Sequence, residues 1–196
     1  VTGKNAIKER VHELMDMCGL PERYFNTYPH ELDGGRRQRV GLARALALGP
    51  QFIVCDEPVS ALDVSIQAQI INLLMDLQEK KLSYMFITHD LCVVRHISDY
   101  IAVMYLGQIV EYAPRKELFA QQYHPYTIAL LSAIPTPDLS RRGREKHLLQ
   151  GEVGNPINPG EGCRFASRCK YAATACNERQ ELREITPGHF VRCHMV

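Results

Sequence analysis

The feature that most constrains this chain is an apolar run ending in two adjacent carboxylates. Residues 52–63 read FIVCDEPVSALD, so Phe52, Ile53, Val54 and Cys55 lead straight into Asp56 and Glu57. Gly49-Pro50 before the run and Pro58 after it bound a segment that predicts a short buried strand. α/β folds carry their chemistry at the carboxyl ends of such strands. An aspartate at a strand end can hold Mg²⁺ in a phosphoryl-transfer site, usually through water. A neighbouring carboxylate can orient or deprotonate an attacking water. For the dipeptide alone, a polar turn after a strand is the better account, and only the surrounding segments change that balance.

Those segments alternate in period. Ile7, Val11, Leu14, Met15 and Cys18 fall on one face of a helix predicted over 5–18, stopped by Gly19 and Pro21. A second helix is predicted from about Gly35 through RRQRVGLARALAL, and a third from Ile66, Ile70, Leu73, Leu74 and Leu77. YMFITHD reads as a strand followed by polar residues, LCVVRHIS as a short helix, and YIAVMYLGQIVEY as two strands joined around Gly107. Strand and helix in this rhythm predict an α/β fold with a mainly parallel sheet over residues 1–133. Pro135, Pro137, Gly151, Gly154, Pro156, Pro159, Gly160 and Gly162 then punctuate 134–162, which reads as an extended linker. A cysteine-rich tail follows over 163–196.

The chemistry-bearing residues lie at element ends. Glu31-Leu32-Asp33-Gly34-Gly35 stands before the second helix, where two glycines would leave backbone N–H groups bare for an anionic phosphate. His89 and Asp90 follow the strand YMFIT, placing an imidazole at another carboxyl end. Each has an ordinary structural reading when taken singly. In this order they resemble the ATP-binding subunits of ABC transporters. LDGGRRQRV matches that family's signature motif, FIVCDEP its Walker B strand and catalytic glutamate, SALD its D-loop, and ITHD its switch histidine. The resemblance implies that Asp56 faces Mg²⁺, Glu57 is the general base and His89 senses the γ-phosphate. It further implies that Asp63 belongs to the contact between paired ATPase subunits, and that Gly34 and Gly35 touch ATP held mainly by the opposite subunit.

The likeness extends along nearly the whole chain. VSALDVSIQAQIINLL, VMYLGQIVEYAP, HPYTIALLSAIP, GEVGNPINP and GCRFASRC resemble the oligopeptide/dipeptide permease branch, and most of all its second ATPase subunit type. That implies a carboxyl-terminal part of a partial P-loop NTPase domain over 1–133, with 1–48 the end of its helical subdomain and the signature helix, and with ATP and Mg²⁺ as ligands. The implied partners are a homologous second ATPase subunit in a head-to-tail dimer and transmembrane permease subunits, not nucleic acid. The implied location is peripheral, on the cytoplasmic face of the membrane.

Two departures matter. No G-x-x-x-x-G-K-[ST] phosphate loop occurs, and Gly3-Lys4-Asn5 lacks both its spacing and its hydroxyl residue. With Val1 in place of methionine, the chain is expected to begin inside a longer protein and to bind ATP poorly alone. The signature also has Asp33 where the family usually has serine and Arg36 where it usually has glutamine. An ionised aspartate only accepts hydrogen bonds and should repel a nearby phosphate, which Arg36 would offset.

Composition excludes several classes. The net charge of +1 gives no global field for nucleic acid or anionic lipid, and Arg141-Arg142-Gly143-Arg144 reads as solvated surface. No apolar stretch is long enough to span a bilayer. Among 7 cysteines, Cys18, Cys55 and Cys92 read as small core residues. Cys163, Cys169, Cys176 and Cys193 are separated by five, six and sixteen residues, gaps unlike a zinc knuckle, and metal, free thiols or disulfides all fit. In the permease branch this pattern accompanies, in some members, a [4Fe–4S] cluster, so the resemblance implies a cluster on all four thiolates, with Zn²⁺ as the alternative. His189 and His194 are substitute ligands or surface residues. Two rival functions stay open: a non-transport ABC ATPase, for which coiled-coil heptads or basic stripes are missing, and an ATPase-inactive metal-binding interaction module.

Overall fold

The computed structural model describes residues 3–134, 151–155 and 157–196. The chain forms two compact units, Val1–Val93 and Val94–Val196. The arginine run at 141–144, Pro135, Pro137, Pro156 and most of the expected linker lie outside the described residues.

The first unit holds helices α1 (Lys4–Met17), α2 (Gly34–Leu46) and α3 (Val64–Glu79), with strands β1 (Phe52–Asp56) and β2 (Ser83–Ile87). The strands pair in parallel, Phe52 opposite Ser83 and Asp56 opposite Ile87, so both carboxyl ends lie at one edge. A parallel pair needs a crossover, and α3 supplies it. Leu14, Met15, Cys18, Leu46, Leu77 and Leu82 make the core, each side chain contributing roughly 2 kcal/mol on burial. The apolar stripe of α1 is buried only in its second half, since Ile7 and Val11 are exposed. β1 is not the fully buried strand that its composition predicts. Cys55 is buried, whereas Phe52 and Val54 on the opposite face are 55% and 54% exposed. Side chains alternate across a strand, and among the described residues only one face of this pair is covered. Cys92 is likewise exposed rather than a core residue.

Helix α4 (Leu91–Ile97) carries the boundary between the units. The second unit has strands β3 (Tyr100–Tyr105), β4 (Gln108–Pro114), β5 (Arg183–Thr186) and β6 (His189–Val191), with helices α5 (Arg115–Ala120) and α6 (Pro125–Ser132). Leu106 and Gly107 both have positive φ, 45° and 76°, as a tight two-residue hairpin requires. The four strands form one antiparallel sheet in the order β3-β4-β6-β5. The expectation of a mainly parallel sheet is therefore corrected among the described residues: one pairing is parallel and three are antiparallel. Two of the antiparallel pairings come from tail residues. Glu111 pairs with Val191 and Tyr112 with Phe190, so β6 extends the hairpin sheet. Phe165, at 1% exposure, packs edge-on to Tyr105 with ring centroids 5.2 Å apart. The structural division at 93 and 94 thus differs from the boundary at 133 expected from composition, because the cysteine-rich tail shares a sheet and a core with β3 and β4.

Candidate functional site

Parallel pairing of β1 and β2 brings the strand-end acids and the histidine together. Glu57 follows β1 and its N–H donates to the Ile87 carbonyl at 2.9 Å, which ties it to the end of β2. Glu57 has φ 45°, a left-handed conformation that costs a bulky residue on the order of 1 kcal/mol. Its carbonyl accepts from the Ser60 N–H at 3.4 Å and the Ser60 hydroxyl at 3.2 Å, which holds the turn. His89 Nδ1 lies 3.1 Å from Glu57 Oε1, and both side chains face solvent, at 72% and 50% exposure. Asp56 precedes Glu57 at the same edge and is exposed. A carboxylate hydrogen-bonded to an imidazole, with a second carboxylate next to it, can position a water and exchange a proton.

A second cluster forms where α2 and α3 begin. Asp33 caps α2, its Oδ1 accepting from the Arg36 N–H at 2.8 Å, while its Oδ2 pairs with Arg36 Nη1. The Arg36 guanidinium also lies over the Tyr24 ring, 4.7 Å from its centroid. The expected offset of Asp33 by Arg36 is therefore a direct ion pair. Asp63 caps α3 in the same way, Oδ1 accepting from the Ile66 N–H at 3.0 Å. The two helix starts touch. A Cβ on Gly34 would meet Leu62 Cδ2 at 3.2 Å, and one on Gly35 would meet Ile66 Cγ2 at 2.4 Å. Gly35 is thus required by packing against a stiff β-branched side chain.

Three groups hold these clusters: Asp90, which the sequence places at the strand end without a role, and Gln67 and Arg39, which sequence reasoning passed over. Asp90 caps α4, its Oδ1 accepting from the N–H groups of Cys92 at 2.8 Å and Val93 at 3.3 Å. Gln67 Nε2 on α3 donates to Asp90 Oδ2 at 3.2 Å. Arg39 on α2 donates to the Cys18 carbonyl at 2.7 Å and to Gln69 on α3 at 3.2 Å. The signal for Gln67 was present in VSIQ, one helical turn beyond Asp63.

The four tail cysteines are near neighbours. The Cys163 N–H donates to the Cys176 carbonyl at 2.8 Å, and the Ala173 N–H points at Cys176 Sγ at 3.5 Å. Burial pushes the thiols of Cys163, Cys169 and Cys193 up, and neighbouring cysteines add to it, against backbone N–H groups that pull down. Among the described residues no group of three or more His, Cys, Asp or Glu side chains is arranged to hold a metal ion. The expected [4Fe–4S] or zinc site on Cys163, Cys169, Cys176 and Cys193 is thus not supported. His194 Nδ1 sits 3.3 Å from Cys176 Sγ. His189 is neither ligand nor surface: it is buried, its Nε2 2.8 Å from Glu111 Oε1.

Comparison with known proteins agrees with both ends of the chain. Residues 2–60 match the family described as ABC transporter, and residues 110–176 match the oligopeptide/dipeptide transporter C-terminal region. The fold resembles an ATP-binding cassette of an ABC transporter at TM-score 0.58, 24% identity, and 66% and 51% of the two chains. It also resembles a dimeric ATP-binding cassette in a post-hydrolysis state bound to ADP and Pi at TM-score 0.53, with 33% identity over 59% of this chain and 50% of that one. Fold, strand-end cluster and family matches together define the class: the chain belongs to the ABC transporter family. More narrowly, its branch is that of the oligopeptide/dipeptide transporters. A putative oligopeptide transport ATP-binding protein of Bacillus subtilis, YkfD, is 54% identical over 94% of this chain and 57% of its own length. The oligopeptide transport ATP-binding protein AppF of the same organism is 52% identical over 95% and 58%. OppF of Salmonella typhimurium is 50% identical over 95% and 57%. The chain thus spans a little under three fifths of these relatives' lengths.

Proposed function

We propose that this chain carries the metal-facing, base and switch residues of an ATP-hydrolysing subunit that energises import of oligopeptides or dipeptides. The observation that carries the reading is the Glu57–His89 contact at 3.1 Å, at adjacent strand ends beside Asp56. ATP is the substrate. Mg²⁺, when bound, neutralises phosphate charge as it develops. Asp56 would hold it, and a lone carboxylate fits, because Mg²⁺ keeps waters and phosphate oxygens as its other ligands. Glu57 accepts a proton from the attacking water. As an imidazolium, His89 would donate from Nδ1 to Glu57, fixing that carboxylate, and from its other ring nitrogen toward the terminal phosphate. Gly34 and Gly35 open α2 toward a nucleotide held by the second ATPase subunit, and Asp63 sits at the neighbouring helix start, where that subunit would dock. Permease subunits embedded in the membrane would complete the importer. Among the described residues no helix is long and apolar enough to cross a membrane, so this chain would act at its face.

The relatives' names support the transport reading, and the match to the oligopeptide/dipeptide transporter C-terminal region supports its peptide branch. The test is ATP hydrolysis by the whole protein in its transporter complex. Glu57→Gln is expected to lower kcat by about 10²-fold or more, the size of a lost general base. Unchanged hydrolysis would sink the assignment.

A further inference from the structure

Resting on that reading, we propose that Gln67 is a positioning residue: through Asp90 it sets the turn that presents His89 to Glu57. The argument begins with what holds His89. Its side chain is 72% exposed and touches Glu57, so packing does little to orient it. Its place is fixed by its backbone neighbours. The Asp90 N–H donates to Thr88 Oγ1 at 3.0 Å, which closes a turn around His89. Asp90 Oδ1 takes the N–H groups of Cys92 and Val93, which fastens the turn to the start of α4. Asp90 Oδ2 takes the Gln67 amide at 3.2 Å, which fastens it to α3.

Gln67 stands one helical turn after Asp63, and its N–H donates to the Asp63 carbonyl at 2.8 Å. The polar chain therefore runs from the Asp63 cap, through Gln67 and Asp90, to His89 and Glu57. These residues are a cap, a helix and a turn joined by hydrogen bonds. A displacement of the Asp63 turn moves the Gln67 amide with it. The carboxylate of Asp90 is a charge-assisted acceptor, so losing its donor costs more than a neutral bond would. The loss appears at His89, which Gln67 reaches only through Asp90.

The test uses the complete transporter carrying this subunit, with kcat, KM for ATP and the thermal midpoint measured for each variant. Gln67→Glu keeps shape and packing but faces Asp90 with a second carboxylate. It is expected to lower kcat about tenfold with KM changed less than about twofold. Gln67→Ala is expected to lower kcat by a smaller factor. Gln67→Arg restores a donor and is expected to return kcat to within about threefold of the parent. Glu57→Gln serves as the reference. If it abolishes hydrolysis while Gln67→Glu leaves kcat unchanged, the positioning role is wrong and the proposed function stands. If every Gln67 variant loses thermal midpoint and activity together without rescue by arginine, Gln67 is only structural and the inference falls. If Glu57→Gln hydrolyses ATP normally, the proposed function and this inference fall together.

Discussion

Among the described residues, two glutamate–histidine pairs have opposite surroundings. In the first unit Glu57 and His89 meet at 3.1 Å with both side chains half or more exposed. In the second, Glu111 and His189 meet at 2.8 Å with 0% and 2% of their side chains exposed. The same chemistry serves different ends because of what else each carboxylate touches. Glu111 also accepts from the N–H groups of Tyr123 at 3.0 Å and His124 at 3.1 Å, so its acceptor capacity is committed to the fold. It joins β4, β6 and the approach to α6. Glu57 Oε1 has His89 and open solvent, so it can exchange partners with water. Burial and satisfied hydrogen bonds make one pair a strut; exposure at a sheet edge leaves the other free to exchange partners, as the proposed function requires.

The sharpest way to break that contrast is a reciprocal pair of substitutions. Glu111→Ala leaves a buried N–H, a half-buried N–H and a buried imidazole without an acceptor. It is expected to lower unfolding free energy by about 3–5 kcal/mol in urea titration. Glu57→Gln is expected to change stability by no more than about 0.5 kcal/mol, because an exposed pair contributes little. On hydrolysis the effect belongs to Glu57. A large stability loss at Glu57, or none at Glu111, would erase the distinction.

The next effect concerns acid. Burial holds the His124 imidazole down at about 4, from an ordinary 6.5. Its Nδ1 accepts the Tyr126 N–H at 3.1 Å, capping α6 in the neutral form. The unfolded chain binds a proton below pH 6.5 that the folded chain refuses until about 4. Stability contributed by neutral His124 is therefore complete above 6.5 and lost as pH falls toward 4, by about 3 kcal/mol in all. His124→Asn keeps a capping acceptor without the titration. Denaturation at several pH values should show the variant less stable at neutrality but flatter in that window. Equal slopes for the two proteins would mean that another group carries the acid sensitivity.

How much of this was legible in the sequence differs between the same two regions. In the first unit, local patterns suffice: apolar spacing marks α1, α2 and α3, and Asp33 and Asp63 cap the helices they precede. The pairing of Glu57 with His89 follows once β1 and β2 are taken as parallel neighbours. In the second unit, the decisive contacts join residues 78 positions apart, as in His189 with Glu111, and no local period announces them. β5 and β6 are only four and three residues long, too short to show a period, which hid them among the turn residues of the tail. The cysteine spacing drew attention toward a metal, whereas Phe165 and Val191 do the anchoring by burial. The exposed face of β1 was illegible for a related reason: an apolar run reports what a strand can bury, not what covers it.

A smaller effect tests the meeting of α2 and α3. Gly35→Ala pushes a methyl toward Ile66 Cγ2, 2.4 Å from where the Cβ would stand. It is expected to cost about 1–3 kcal/mol as an overpacking change. Gly34→Ala, whose nearest neighbour is the mobile end of Leu62 at 3.2 Å, should cost less. Reversal of that order in thermal denaturation would show that the helix starts are not packed as described.

The smallest expected effect is on the departure at Asp33. Its carboxylate already accepts from the Arg36 N–H and pairs with the Arg36 guanidinium, itself seated on Tyr24. The start of α2 thus carries its own anion where a nucleotide phosphate would approach. Serine at this position would retain the cap, since its hydroxyl oxygen accepts the same N–H. It would add a donor and remove the repulsion. Asp33→Ser in the complete transporter is therefore expected to raise ATP turnover by about two- to fivefold, a change of 1 kcal/mol or less in barrier. Stability should barely move, because the ion pair is largely exposed. If turnover stays level or falls, Arg36 already neutralises Asp33 in the working complex, and the substitution is a local exchange of one cap for another.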